Sequence, residues 1–326
     1  MLNRPRILVA SPASSASNNG NWQTAYRWSC FLRARYHVEI TRQWDSTSLL
    51  PDALIALHAR RSADTIAAYT ETGRPLIVVL TGTDLYRDIR DDEDARRSLQ
   101  LAHALVLLQD AGVDELPEAL RHKASVIYQS APATTLLPQP VEDSHFNVLM
   151  LGHLRAEKDP LTFMRAAIQA SAPGLRFMQV GGALDDSLGR QAQDTAARCP
   201  DYRWLGAVAH DAARTLLAQS RLLVLPSVME GGANVIVEAV TSGVPVLASD
   251  ISGNRGMLGA GYAGYFPVGD AAALARLVER AATQPDFDRL LRAQCAARLP
   301  LFAPAREKAA VLRLMDNALT QTRTTP

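Results

Sequence analysis

The chain is poor in several features, and each scarcity removes a class of function. Three cysteines, Cys30, Cys199 and Cys295, are spread through 326 residues. They are odd in number and lack the short spacings of a zinc site, which argues against both a metal cluster and a secreted disulfide framework; buried free thiols in a reduced, cytoplasmic protein are expected. Neither charge dominates, because 34 Lys and Arg stand against 33 Asp and Glu for a net +1. With no basic block either, neither nucleic acid nor an anionic membrane surface is an expected partner. No apolar run approaches the length of a transmembrane helix, and the first ten residues hold too short a run for the core of a signal peptide, so no stable membrane association is expected. The acidic stretches Asp91-Asp92-Glu93-Asp94 and Asp185-Asp186 stand at helix starts, where carboxylates suit the dipole, and do not form an Asp-x-Asp metal motif. Neither a metal nor a cofactor is expected.

What is present is a long alternation. The length allows two domains of ordinary size, and 48% hydrophobic with 21% charged residues is a globular composition. Short apolar runs at 6–10, 36–41, 53–57, 75–80, 104–108 and 124–128 read as strands. Helical stretches beginning near Trp22, at 58–62 and at 91–101 fall between them. Residues 130–144, with Pro132, Pro138 and Pro140, read as a linker, after which strands at 146–151, 175–180, 222–225 and 246–248 restart the pattern. Strands alternating with helices predict parallel sheets covered on both faces. The expected division is an N-terminal domain over 1–144, a second over 145–303 and a last helix within 304–326. The opening loop of 11–20 follows the first strand as in a nucleotide-type fold, although Gly-x-Gly-x-x-Gly is absent.

The most informative stretch is 225–250. It reads as a strand end, a loop broken by Gly231 and Gly232, a helix over 233–241 ended by Gly243-Val244-Pro245, and another strand. Glu230 and Glu238 bracket the helix start, whose unpaired N–H groups and dipole favour phosphate. Carboxylates beside a diphosphate repel it unless they accept hydrogen bonds from hydroxyls. The pattern therefore suits a ligand with anionic oxygens in its middle and hydroxyls at both ends, as in a nucleotide-sugar.

Glu230 and Glu238, with Gly231-Gly232-Ala233-Asn234-Val235 between and Gly243-Val244-Pro245-Val246 after, resemble the donor signature of GT-B glycosyltransferases. The likeness is to the large retaining family with two Glu residues at this spacing. It implies an α/β GT-B fold, two Rossmann-like domains facing each other across a cleft, with the last helix crossing back to the first domain. It also implies that Glu238 holds the ribose hydroxyls of a UDP-sugar and Glu230 those of the transferred sugar. Residues 152–160 resemble the family turn whose Arg and Lys clamp the diphosphate. Lys158 matches the Lys; His153 stands at the Arg position, with Arg155 two residues on, and Arg155 is favoured because a guanidinium binds two phosphate oxygens at once. The resemblance further implies that Gly20 and Asn21 face the diphosphate and that 204–208, ending at Val208, lines the base. Lys158, Arg155 and the helix terminus would then take the electrostatic role that a metal has in the other large glycosyltransferase fold.

Ligands of parallel sheets bind beyond the carboxyl ends of the strands. In the first domain this points to Asn18, Asn19, His58, Arg60, Arg61, Thr81, Thr83 and Asp84, with Gln109, as the acceptor side. The strings around these residues resemble a subgroup of the family, the selenosugar synthases of selenoneine biosynthesis. That likeness implies transfer from UDP-N-acetylglucosamine or UDP-glucose to selenophosphate, an anionic nucleophile that needs cations rather than a general base. An ordinary glycosyltransferase acting on a hydroxyl or thiol, and a UDP-sugar epimerase or non-catalytic binder, are the alternatives.

Overall fold

The computed structural model describes residues 4–14, 20–132 and 145–321, and the chain divides into two compact units. One comprises Met1–Ser130, Gly231–Ala233 and Ala303–Pro326; the other comprises Ala131–Glu230 and Asn234–Phe302. Asn18, Asn19 and residues 133–144 of the expected linker lie outside the described residues.

The first unit is built on six parallel strands: β1 (Arg6–Ala10), β2 (His37–Thr41), β3 (Ala53–Leu57), β4 (Leu76–Leu80), β5 (Ala104–Leu107) and β6 (Ala124–Val126). Their order in the sheet is β2-β1-β3-β4-β5-β6. Helices α1 (Gly20–Leu32), α2 (Ala63–Thr70), α3 (Ile89–Asp91) and α4 (Glu93–Leu101) join them, together with the last helix, Pro304–Gln321. Alternate residues of the central strands serve opposite faces. Leu54, Ala56, Leu76 and Val78 pack with Ile66 and Tyr69 of α2 and Leu99 of α4. Ile55, Leu57, Ile77 and Val79 pack with Ala25, Trp28 and Leu32 of α1 and with Val311 and Met315 of the last helix. With both faces covered, such strands read as unbroken apolar runs.

The last helix is locked to this unit by one buried carboxylate. Glu307 accepts from Trp28 Nε1 and Arg27 Nε, each at 2.8 Å, and from the Ser130 amide and hydroxyl at 2.8 and 2.5 Å. A buried carboxylate is tolerable only with such partners.

The second unit also has six parallel strands: β7 (Phe146–Leu151), β8 (Leu175–Val180), β9 (Tyr202–Trp204), β10 (Leu222–Leu225), β11 (Val246–Ser249) and β12 (Tyr265–Phe266). Their order, β12-β11-β10-β7-β8-β9, is the Rossmann order once β7 is counted as the first strand. Helices α5 (Pro160–Gln169), α6 (Asp186–Arg198), α7 (His210–Ala218), α8 (Asn234–Thr241), α9 (Ser252–Leu258), α10 (Ala271–Thr283) and α11 (Pro285–Arg298) accompany them. Asp185 caps α6 by accepting from the Ser187 and Leu188 amides. After α8, the Val244 amide reaches back to the Ala239 carbonyl and the Gly243 amide to that of Val240, a Schellman stop with Gly243 at φ +71°. The strand order reverses between β7 and β10, which are paired side by side, so the loops leaving their carboxyl ends lie together.

Candidate active site

The loop after β7 is shaped by two left-handed positions. Gly152 has φ +155°, and Asp159 has φ +43° as the residue that caps α5. Asp159 receives the Thr162 amide at 3.3 Å and the Thr162 hydroxyl at 2.6 Å, while Pro160 opens the helix where its missing N–H is not needed. Between these points a single 3₁₀ turn, Ala156–Lys158, carries Lys158 back over Gly152, where an added Cβ would meet the Lys158 stem at 3.7 Å.

The partner loop follows β10. Its Val228 amide donates to the Glu157 carbonyl at 3.0 Å and so stitches the two loops together. Glu230 is buried there, and its Oε1 accepts from Lys158 Nζ at 2.5 Å and from Ser227 Oγ at 2.6 Å. Behind it the Ser249 hydroxyl donates to the Ser227 carbonyl, and Asn254 Nδ2 donates to the Ser249 carbonyl and hydroxyl at 2.9 and 3.1 Å. Gly253 lets α9 close on this loop: a Cβ at that position would lie 1.9 Å from the Glu230 carbonyl oxygen. A lysine and a glutamate remote in sequence are thus held together at the strand-order reversal.

Glu230 leads into Gly231, Gly232 and Ala233, then α8 begins at Asn234 and includes Val235. The first turn of any helix leaves N–H groups without intrahelical partners, and no acidic residue lies in the first turn of α8 to satisfy them. Glu238, one turn on, pairs its Oε1 with His210 Nε2 at 2.9 Å. This hydrogen bond raises the His210 pKa above its ordinary value, against the opposing effect of partial burial. Nothing in the sequence pattern pairs His210, the first residue of α7, with a glutamate of the next helix, and the sequence reading missed it. Ser227 stands within the informative 225–250 stretch, but the sequence assigned it no role, although its place three residues before Glu230 in a loop was a usable signal.

His153 accepts the Gly182 amide on Nδ1 at 3.2 Å. Arg155 is partly exposed, with Nε 4.0 Å from Glu157 Oε2. Val208 sits in the loop after β9, whose preceding residue Trp204 donates its indole N–H to the Gly181 carbonyl at 2.9 Å.

In the first unit Gly20 and Asn21 open α1, two residues before the expected start, and so belong to a helix rather than to a loop. His58 follows β3 in a left-handed conformation, φ +72°, and is buried. Its Nε2 lies 3.0 Å from Thr83 Oγ1, its Nδ1 accepts the Arg61 amide at 3.3 Å, and carboxylate oxygens of Asp84 and Asp88 are each 3.9 Å from the ring. Asp84 ties two strand ends together: Oδ1 accepts the Thr81 and Gly82 amides at 2.9 and 2.8 Å, and Oδ2 accepts the Ala59 amide at 3.0 Å. Arg60 pairs with Asp92 at 2.7 Å, whereas the exposed Arg61 guanidinium has no ion-pair partner among the described residues. Gln109 is buried at the end of β5 and donates to the Tyr86 hydroxyl at 2.8 Å.

Two sheets of six parallel strands with surrounding helices define the GT-B class of fold. Residues 145–284 match the family described as glycosyl transferases group 1. Among solved structures, HepE of Anabaena, crystallised with UDP and glucose, has a TM-score of 0.78 at 17% identity, over 96% of this chain and 100% of that one. Sucrose-phosphate synthase of Thermosynechococcus elongatus has a TM-score of 0.80 at 15% identity, over 98% and 100% of the two chains. The pneumococcal O-GlcNAc transferase GtfA, solved with UDP and GlcNAc, has 0.63 at 18%, over 83% and 57%.

Proposed function

We propose that the chain is a metal-independent glycosyltransferase that takes a sugar from a UDP-sugar, with residues 145–303 as its donor domain and 1–144 as its acceptor domain. The observation that carries this reading is Lys158 held on Glu230 where the strand order reverses, next to the start of α8. Glycosyl transfer breaks the bond from the anomeric carbon to the diphosphate, and negative charge builds on the departing oxygen. An ammonium and a helix N-terminus, both fixed in place beforehand, stabilise such charge. Glu230 uses Oε1 for Lys158 and Ser227, leaving Oε2 to accept from sugar hydroxyls, and Glu238 takes the ribose. Arg155 supplies the second positive charge.

Selenophosphate is the acceptor this reading favours. It arrives already anionic, so the acceptor side needs a cation and no base, and the exposed Arg61, whose guanidinium has no ion-pair partner among the described residues, suits that need. A hydroxyl or thiol acceptor is the second reading. It is favoured by the polar side chains gathered at the strand ends, His58, Thr83, Asp84 and Asp88, which suit a neutral, hydrogen-bonding acceptor as well as an anion. The test is incubation with UDP-sugars, with and without selenophosphate, in the presence of a chelator. UDP release that depends on selenophosphate, with a sugar–selenium product by mass spectrometry, supports the first reading. Transfer to a hydroxyl or thiol supports the second, while epimerised UDP-sugar without any acceptor overturns transferase activity.

A further inference from the structure

The His210–Glu238 contact is not accounted for by the reading above, in which Glu238 serves the ribose. A carboxylate that holds a ribose diol presents oxygens to neighbouring hydroxyls, yet here Oε1 of Glu238 is taken by His210 Nε2 at 2.9 Å. Both partners belong to the second unit and rest on separate helices, α7 and α8. The Glu238 side chain is 17% exposed and that of His210 37%, so a ligand reaching the carboxylate meets the imidazole as well. The other charged groups acting on the ring are on α7 itself: Asp211, with Oδ1 4.0 Å from Nδ1, and Arg214, which opposes its protonation.

We propose that His210 is a positioning residue that competes with the donor's ribose for Glu238, so that donor capture is coupled to loss of the His210–Glu238 ion pair. The inference rests on Glu238 being the ribose ligand. The direction of the coupling follows from the pair. The hydrogen bond to Glu238 favours the protonated form of His210 in the donor-free chain. A hydroxyl that replaces the imidazole at Oε1 removes that stabilisation, and the proton is released. At low pH the donor must break an imidazolium–carboxylate pair, and at higher pH it displaces only a neutral ring. Affinity therefore rises with pH through the titration of His210, by at most about tenfold per pH unit for one linked proton.

The probe is UDP-glucose, whose diphosphate carries no group that titrates across the range of about pH 5.5 to 8.5 in which histidine changes charge. Calorimetry on the full chain in buffers of different ionisation heat reads both affinity and proton release. The expectation is wild-type affinity that climbs with pH and proton release on binding. In His210→Gln both effects are lost, and the variant binds UDP-glucose several-fold more tightly than wild type at the acid end. His210→Asn, too short to reach Glu238, behaves like the Gln variant, and thermal melts establish that both are folded. A wild-type affinity independent of pH, or a pH dependence that persists in the variants, overturns the inference and leaves the donor assignment standing. Absence of UDP-glucose binding at every pH overturns both.

Discussion

Lys158→Ala probes the link between the stability of the second unit and its proposed chemistry. The side chains of Lys158 and Glu230 are only 17% and 9% exposed, and their N–O distance is 2.5 Å. Truncation leaves the Glu230 carboxylate with Ser227 Oγ alone in a site that water barely reaches. Removing one partner of a buried pair costs roughly 3–5 kcal/mol, and the residual exposure here puts the loss near 3. A change of 1 kcal/mol moves the midpoint of a domain this size by about 2–4 °C, so a fall of roughly 6–12 °C is expected in the melting of the second unit. Glu230→Gln should cost less, because a lysine left without its partner can extend its ammonium to solvent along its flexible stem. Turnover should fall in Lys158→Ala by about 10²–10³, the scale of removing one group that stabilises transition-state charge. Calorimetric melting of both variants, with UDP-release kinetics for Lys158→Ala, measures all three. An unchanged melting temperature in Lys158→Ala, or a larger loss in Glu230→Gln, would refute the reasoning.

Glu238→Ala is expected to weaken UDP-sugar binding by about 10- to 100-fold, the value of one or two hydrogen bonds to a charged group, with a smaller effect on the chemical step; titration calorimetry reads the affinity and saturating turnover reads the step. Gly253→Ala sets a methyl group 1.9 Å from the Glu230 carbonyl oxygen, so the loop after β10 must shift. That overpacking costs roughly 1–3 kcal/mol and should lower turnover although Gly253 itself makes no proposed substrate contact; melting and turnover measured together check it.

Much of the fold was legible because the central strands of both sheets are buried on both faces. β3 and β4, whose residues are all inaccessible to solvent, appear in the sequence as unbroken apolar runs with the bounds found, apart from Pro75. Gly243 before Pro245 marked the end of α8 for the reason the structure bears out, a left-handed stop. The start of α1 was not legible. Gly20 and Asn21 are poor helix formers, but packing of Ala25, Trp28 and Leu32 extends the helix through them. The stretch at 91–101 is interrupted for a local reason, since Asp92 is extended and caps α4 by accepting the Ala95 amide.

At the candidate site, Glu230, Glu238 and Lys158 were readable as a pattern, but their partners were not. Strand order brings β7 beside β10 and so Lys158 onto Glu230, and strand order depends on how crossovers pack rather than on any local string. The same holds for His210, which meets Glu238 only because α7 and α8 lie side by side. In the first unit, Asp84 read as a candidate acceptor group, and the structure has both its oxygens engaged by backbone amides.

The central claim, transfer of a sugar from a UDP-sugar, is tested most directly by following UDP release and product mass with a panel of UDP-sugars, with and without selenophosphate. The account predicts UDP release that requires acceptor, survives chelation and yields a sugar–selenium product. UDP-sugars left intact with every acceptor tried, or altered in stereochemistry with no acceptor present, would contradict it.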